Sequence, residues 1–370
     1  MYIDKKNKKK RKVNKKAVVF ITSILVVLVV LITGLVMVLT KGREVKDSMA
    51  ELPFGSDATY FCVGNTIVYA NGDLLTCLDS SLKTVWQLRM YTSGLNYTAS
   101  DNVIVATSEN AIQVINSESN PLFTKQLEEG TIRSARAGKD KVAISVDQQL
   151  TDSTVSYIIV FDLNGNDLYK LTTTGRNIID YGFDAESSQL YVLELDVDGA
   201  VPVSRISTFR PETQAMTGIN DLKDQLVGRV YITDDRIYAM GTSYLTTFTA
   251  LKQSQKLLVY GWTVEDICTA GDPTFVYVQS AEMNSTLSVA RIIRASGNDI
   301  KINLPPGVTS VMDTGEKIYC FTSDSIFVYT VEGKYQRTHT LPFAIKGAKK
   351  AINGYAFITA GEAVYLLPLP

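Results

Sequence analysis

One phrase returns along this chain about every 40 residues, and it narrows the available folds more than any other feature. Asn65-Thr-Ile-Val-Tyr-Ala-Asn is followed by Asp73-Leu-Leu-Thr-Cys-Leu-Asp, then by Lys83-Thr-Val-Trp-Gln-Leu. Asp101-Asn-Val-Ile-Val-Ala-Thr is followed by Ala111-Ile-Gln-Val-Ile-Asn, then by Pro121-Leu-Phe-Thr-Lys-Gln-Leu. The opening run recurs near Lys141, Gln189, Arg236, Thr274, Lys317 and Gly354, making eight occurrences in all. Short alternating runs that stop at Gly, Asn, Asp or Ser are the pattern of strands and tight turns. A further short strand sits between units, as at Leu95-Asn-Tyr-Thr-Ala and Ile178-Ile-Asp-Tyr-Gly-Phe. Each unit therefore supplies about four short antiparallel strands.

One such sheet cannot bury both its faces. A ring of them can, each blade covering its neighbours and leaving only short edges. The sequence thus predicts an all-β propeller of about eight four-stranded blades across 58–370. The expected blades are 58–90, 94–130, 132–174, 177–218, 224–261, 264–304, 308–342 and 345–370. The last holds three strands, and Ser48-Met-Ala-Glu-Leu-Pro-Phe, within a short linker at 41–57, offers the fourth. Pro53 suits an outermost strand, where a missing N–H costs no ladder bond. Seven blades result if 177–218 or 345–370 is not a blade, and an open β-solenoid is the other arrangement.

Charge sets the location. Residues 1–16 hold nine bases against Asp4, and Ala17 to Thr40 carries no charge. As a helix those 24 residues reach about 36 Å, enough for a hydrocarbon core of about 30 Å. The run is too long for a signal-peptide core, and Val38-Leu39-Thr40-Lys41 offers no small-x-small cleavage site. It reads as an uncleaved signal-anchor crossing the bilayer at 17–40. The basic tail keeps the N-terminus cytoplasmic, which places the propeller outside, close to the membrane. Residues 41–370 hold 28 bases and 37 acids, which disfavours a nucleic-acid partner.

Catalytic signatures are sparse. His339 is the only histidine, so a histidine-rich zinc site is excluded and a Ser-His-Asp triad would have to use it. No Gly-x-Ser-x-Gly, His-Glu-x-x-His or phosphate-binding Gly-Lys-Ser/Thr loop occurs. A carboxylate pair stays open, but 37 acids give no way to choose one. Asp162-Leu-Asn-Gly-Asn-Asp167 and Asp196-Val-Asp-Gly199 faintly echo acidic calcium loops, yet an Asn-Gly hairpin explains the first without a metal. Cys62, Cys77, Cys268 and Cys320 lie in apolar strands and read as buried thiols, with Cys62–Cys77 the one disulfide available within a blade. Trp86 and Trp262 read as packing between blades. Asn96-Tyr-Thr98 and Asn284-Ser-Thr286 match the glycosylation pattern. No catalytic, metal or cofactor residues are assigned.

Asn71-Gly-Asp-Leu-Leu-Thr-Cys-Leu-Asp-Ser-Ser-Leu-Lys-Thr-Val-Trp86 resembles the repeat of the quinoprotein-like propellers. Partial matches lie at 157–169 and 326–335, and Phe123 replaces the tryptophan in the second unit. Many propellers of that group are scaffolds, one of them in outer-membrane protein assembly. The resemblance implies the fold and no quinone, since the chain has no vicinal cysteine pair. Over its full length the chain also resembles an uncharacterised family of Gram-positive membrane proteins, domain of unknown function 5711. That likeness implies a lysine-rich start, one transmembrane helix and an outer propeller. The expected role is a membrane-anchored, non-catalytic module that binds a protein or cell-envelope partner. The alternatives are an envelope enzyme acting on sugar or peptide through axial carboxylates, and a ligand-sensing ectodomain. An acidic cluster at the axis would favour the enzyme, and an apolar patch on one rim the binder.

Overall fold

A computed structural model describes residues 49–370, apart from 92–93, 174–175, 199–200, 224, 270 and 281–285. The basic tail, the apolar run at 17–40 and the first part of the linker lie outside the described residues. The described strands pair into eight antiparallel sheets of four. Blades 1 to 7 each use four consecutive strands: 59–89, 96–126, 131–173, 177–222, 227–258, 263–303 and 310–340. Blade 8 uses three strands over 347–368 and takes its outermost strand, Ala50–Gly55, from the start of the propeller.

The two middle strands of each blade are buried on both faces, which is why their sequences read as apolar runs. All five residues of Val103–Thr107 are buried. In register, Ile104 faces Ile115 and Val105 faces Val114. Ile104 and Ile115 pack with Val68, Leu75 and Cys77 of blade 1. Val105 and Val114 pack with Val142, Ile144 and Val146 of blade 3. One alternating strand pair thus glues two different neighbours. The same arrangement joins blades 3 to 4, 4 to 5, 5 to 6 and 6 to 7. Outer strands such as Lys252–Leu258 are mostly exposed.

Blade 8 closes the ring. Ala50 and Glu51 pair with Leu366 and Tyr365, Gly55 pairs with Ala363, and the ladder is irregular between, around Pro53. Leu52 is 4% exposed and shares a core with Ile67 and Leu78 of blade 1 and Phe357 and Val364 of blade 8. Phe54 lies 4.9 Å from the Tyr60 ring and 4.8 Å from that of Tyr69. Tyr60 in turn meets Phe357 edge-on at 5.1 Å.

A second device repeats at blade junctions. Trp86, Phe123 and Tyr169 occupy equivalent outer-strand positions, opposite Cys77, Val114 and Val160. Each ring reaches toward the next blade. Trp86 Nε1 donates to Ser117 O at 2.9 Å, Phe123 covers the Gly165 turn, and Tyr169 lies 5.6 Å from Phe209. At the junction of blades 4 and 5 the knob reverses. The equivalent position is Gly218, opposite Thr208, and a β-carbon there would overlap the Leu251 methyl groups from the turn of blade 5. This corrects the expected end of blade 4 at residue 218. Gly218 is a hole for Leu251, not a stop, and the outer strand runs on to Leu222.

Leu52→Ala should cost about 2–5 kcal/mol through the cavity left at the closure. Removing 44–54 should lower the melting temperature of the propeller, and unchanged melting curves would show that closure is unimportant. Gly218→Ala should cost about 1–3 kcal/mol by overpacking, most of it recovered when Leu251→Ala is added. An equal cost in both backgrounds in denaturant titrations would refute the knob-and-hole assignment.

Candidate functional site

The propeller has two unlike faces. The upper face carries the links from each outer strand to the next inner strand, together with the hairpins between second and third strands. The lower face carries the remaining hairpins, and the chain enters there at Ala50. On the upper face, blades 3 to 6 depart from the other four. Their inner strands each carry an irregularity at an equivalent place, between Ile132 and Ser134, Ile178 and Asp180, Val227 and Arg229, and Val264 and Asp266. The bulged residues are Arg133, Ile179, Gly228 and Glu265. A bulge leaves one residue unpaired and re-aims its side chain, a device concentrated beside functional sites. The inner strands of blades 1, 2, 7 and 8 pair without it.

Two of these blades, 3 and 4, carry raised hairpins. In blade 3 the ladder climbs to Gln149–Thr154, although the inner strand starts opposite Asp147. In blade 4 it climbs to Asp198–Val201, beyond Leu195, where the inner strand starts. Exposed apolar side chains follow this arc: Leu150 on blade 3, Ile179 and Val201 on blade 4, Leu226 before blade 5, and Leu258 and Tyr260 after it. Among the described residues, Tyr91, beyond blade 1, is the exposed large apolar residue of the upper face outside the arc. The backbone holds several of them firmly. Leu226 O accepts from Thr242 N at 2.8 Å, and the buried Gln225 beside it accepts from Tyr244 N and donates to Thr246 Oγ1. Tyr260, 76% exposed, sits in a turn closed by Trp262 N donating to Val259 O at 3.0 Å. Arg291 braces this junction, donating to Leu258 O at 2.5 Å and forking onto both oxygens of Asp299 at 2.9 and 2.7 Å.

Near the axis, charged side chains line the inner strands of blades 3 to 8. Arg136 of blade 3 binds Asp180 of blade 4 at 3.0 Å, and Tyr191 OH donates to the other Asp180 oxygen at 2.9 Å. Arg229 follows on blade 5 and Glu265 on blade 6. Glu265 is reached by water yet crowded by protein. Its pKa is raised, by desolvation first and by Asp266, against a backbone N–H bond from Val311 and the Arg229 charge. Asp313 of blade 7 is fully buried and its pKa is raised, by desolvation first and by Asp266, against a Gly315 N–H bond and the Arg294 and Lys350 charges. Lys350 of blade 8 donates to Asp313 O at 3.2 Å. Asp180 is thus paired with a base, whereas Glu265 and Asp266 of blade 6 and Asp313 of blade 7 are neighbouring acids, with Asp313 N donating to Asp266 Oδ2 at 3.4 Å. Among the described residues no group of three or more His, Cys, Asp or Glu is placed to hold a metal.

Most residues singled out in the sequence prove structural. Asp162 Oδ1 accepts from Asn164 N and Asn166 N at 2.9 and 2.8 Å, closing a hairpin whose Gly165 has φ of +82°. Asp79, Asn116 and Thr330 cap the equivalent turns of blades 1, 2 and 7. Asp196 pairs with Arg176 at 3.0 Å, and Gly199 lies outside the described residues, as does Asn284. Asn96 is exposed at the start of an inner strand. Glu212, in the turn at Pro211–Thr213, pairs with buried Lys141 at 2.6 Å. His339 sits half-buried on an outer strand, and desolvation followed by Arg337 and Lys317 lowers its pKa. All four cysteines are free. Cys62 pairs with Ile67 and Cys77 with the next residue, Val68. The two sulfurs therefore lie on opposite faces of blade 1 and cannot join. Burial pushes the Cys62 and Cys320 thiols up to about 12. Trp262 lies under two cations, 5.9 Å from Arg291 and 5.8 Å from Lys301. The half-ring itself escaped sequence reading, because a bulge appears only once a strand's partner is known.

The model of the family of unknown function DUF5711 matches residues 41–364. The chain belongs to that family. A search of curated proteins gives no match. Among solved structures, BamB from Moraxella catarrhalis superposes with a TM-score of 0.55 at 14% identity, covering 87% of this chain and 98% of its own. Dihydro-heme d1 dehydrogenase NirN gives 0.54 at 10%, covering 88% and 80%. Quinohemoprotein alcohol dehydrogenase from Comamonas testosteroni gives 0.50 at 9%, covering 86% and 75%. At such identities the likeness shows the shared propeller fold alone.

The Arg291 charge, through its hydrogen bonds, holds the Asp299 carboxyl below the usual range. That stability is fully present above the ordinary aspartate value of about 3.9 and is lost as pH falls through the lowered folded value. The melting temperature should therefore fall in acid. Asp299→Asn should melt lower at neutral pH and lose less on acidification, and parallel pH profiles would count against the pair.

Proposed function

We propose that this protein is a membrane-anchored propeller, held by residues 17–40 with its N-terminus cytoplasmic, that binds a protein partner outside the cell through the upper face of blades 3 to 6. The observation that carries this reading is the arc of exposed apolar side chains, Leu226, Leu258 and Tyr260 foremost, on backbone fixed by buried hydrogen bonds. Apolar anchors already held in place lose little entropy on docking, and a few such anchors dominate interface energies.

Crosslinking in cells followed by purification of the full-length protein and mass spectrometry tests the proposal. A partner recovered with the native chain and with Met216→Ser on an outer strand, but lost with Leu226→Glu combined with Tyr260→Ser, is the expected result. A partner retained by that double variant would refute the assigned face, and no partner at all would refute the docking role.

A further inference from the structure

A cavity of about 310 Å³ lies between blades 3 and 4, beneath the bulged residues Arg133 and Ile179. It adjoins a wider surface cleft of about 1160 Å³ along the blade 3 hairpin, and both are lined by Arg133 and Asp147. Cavities of this size fall at the lower end of those that hold small ligands. Two strand bulges re-aim residues into its walls, an observation independent of the volume.

The chemistry of the walls narrows the ligand. Every charge is already matched by its neighbour. Arg136 is bonded to Asp180, to Tyr181 O at 3.1 Å and to Ala135 O at 3.2 Å. Arg133 Nε donates to Asp147 Oδ2 at 2.6 Å, and Ser156 Oγ donates to Asp147 Oδ1 at 2.7 Å. An ionic ligand would meet no net opposite charge and would have to break these pairs. What remains is the hydrogen-bonding capacity of neutral groups, the hydroxyl of Ser145 and the exposed amide of Asn177. Ile178 and Ile179 add an apolar strip. The floor is rigid. Tyr181 OH donates to Ser134 O at 2.8 Å and accepts from Ser145 N at 3.0 Å, locking the two blades together at the cavity base. Neutral donors and acceptors beside an aliphatic strip match a sugar ring, which presents hydroxyls at its rim and C–H groups on its faces.

We propose that this cavity binds a neutral saccharide unit. The inference is separate from protein docking, since the cavity needs no partner and its test uses none. Isothermal titration calorimetry on the full-length protein in lipid nanodiscs, with N,N′-diacetylchitobiose, maltose and cellobiose as probes, decides it. D-alanyl-D-alanine and inorganic phosphate serve as zwitterionic and anionic comparisons. At least one disaccharide should bind saturably, about tenfold or more tighter than either comparison. Asn177→Ala should weaken that binding by about tenfold, the loss of one or two hydrogen bonds, and Ser145→Val should do the same. Asn177 is exposed, so its variant keeps the fold even if the change at Ser145 does not, and thermal melting checks both. No saturable binding of any disaccharide, tighter binding of phosphate or the dipeptide, or disaccharide affinity unchanged by Asn177→Ala would overturn the proposal.

Discussion

Every sheet of this propeller buries both faces against its neighbours, and the rest of the structure follows from that requirement. A blade with an uncovered face would expose a row of Val, Ile and Leu side chains to water, at roughly 25 cal/mol for each Å². No linear stack of eight identical sheets avoids this at its ends. Closure does, and here it depends on Ala50–Gly55 crossing to the last blade. The strand supplies ladder bonds to 363–366, places Leu52 in the core shared by blades 8 and 1, and sets Phe54 against Tyr60 and Tyr69. First and last blades are thereby tied by backbone, aliphatic and aromatic contacts at once.

A closed ring of near-identical blades has no preferred side, so function must come from departures from the repeat. Those departures gather on one half. Four consecutive inner strands are bulged, blades 3 and 4 bear raised hairpins, and the upper face from blade 3 to the junction after blade 5 shows apolar side chains to solvent. The remaining inner strands pair regularly. A bulge weakens the ladder and an exposed tyrosine gains nothing from folding, so neither is a feature that ring stability would select. Their coincidence on this half is the physical basis for the binding face proposed there.

The blade plan was legible in the sequence because two strands per unit are buried on both faces and therefore repeat as apolar runs with turn residues between them. Trp86 and Phe123 were equally legible as packing residues, since the junction asks for a large ring at that position. Blade 4 was expected to end at 218, four residues short of Leu222, because nothing local shows that Gly218 makes room for Leu251 of the neighbouring blade. The Cys62–Cys77 question needed the register, since one residue of offset between Ile67 and Val68 decides which face each sulfur takes. The cavity between blades 3 and 4 joins side chains from four strands of two blades, so no local motif announces it.

The central claim is that eight blades and one borrowed strand form a single cooperative ring. Native-state hydrogen exchange on the full-length protein measures this directly. The account predicts that amides of the middle strands in blades 1 and 8 exchange with the same opening free energy as those of blades 4 and 5, because opening the closure exposes the whole ring. Blades 1 and 8 exchanging several kcal/mol more easily than the rest would contradict it, and would make the closing strand an accessory to a stack that stands without it.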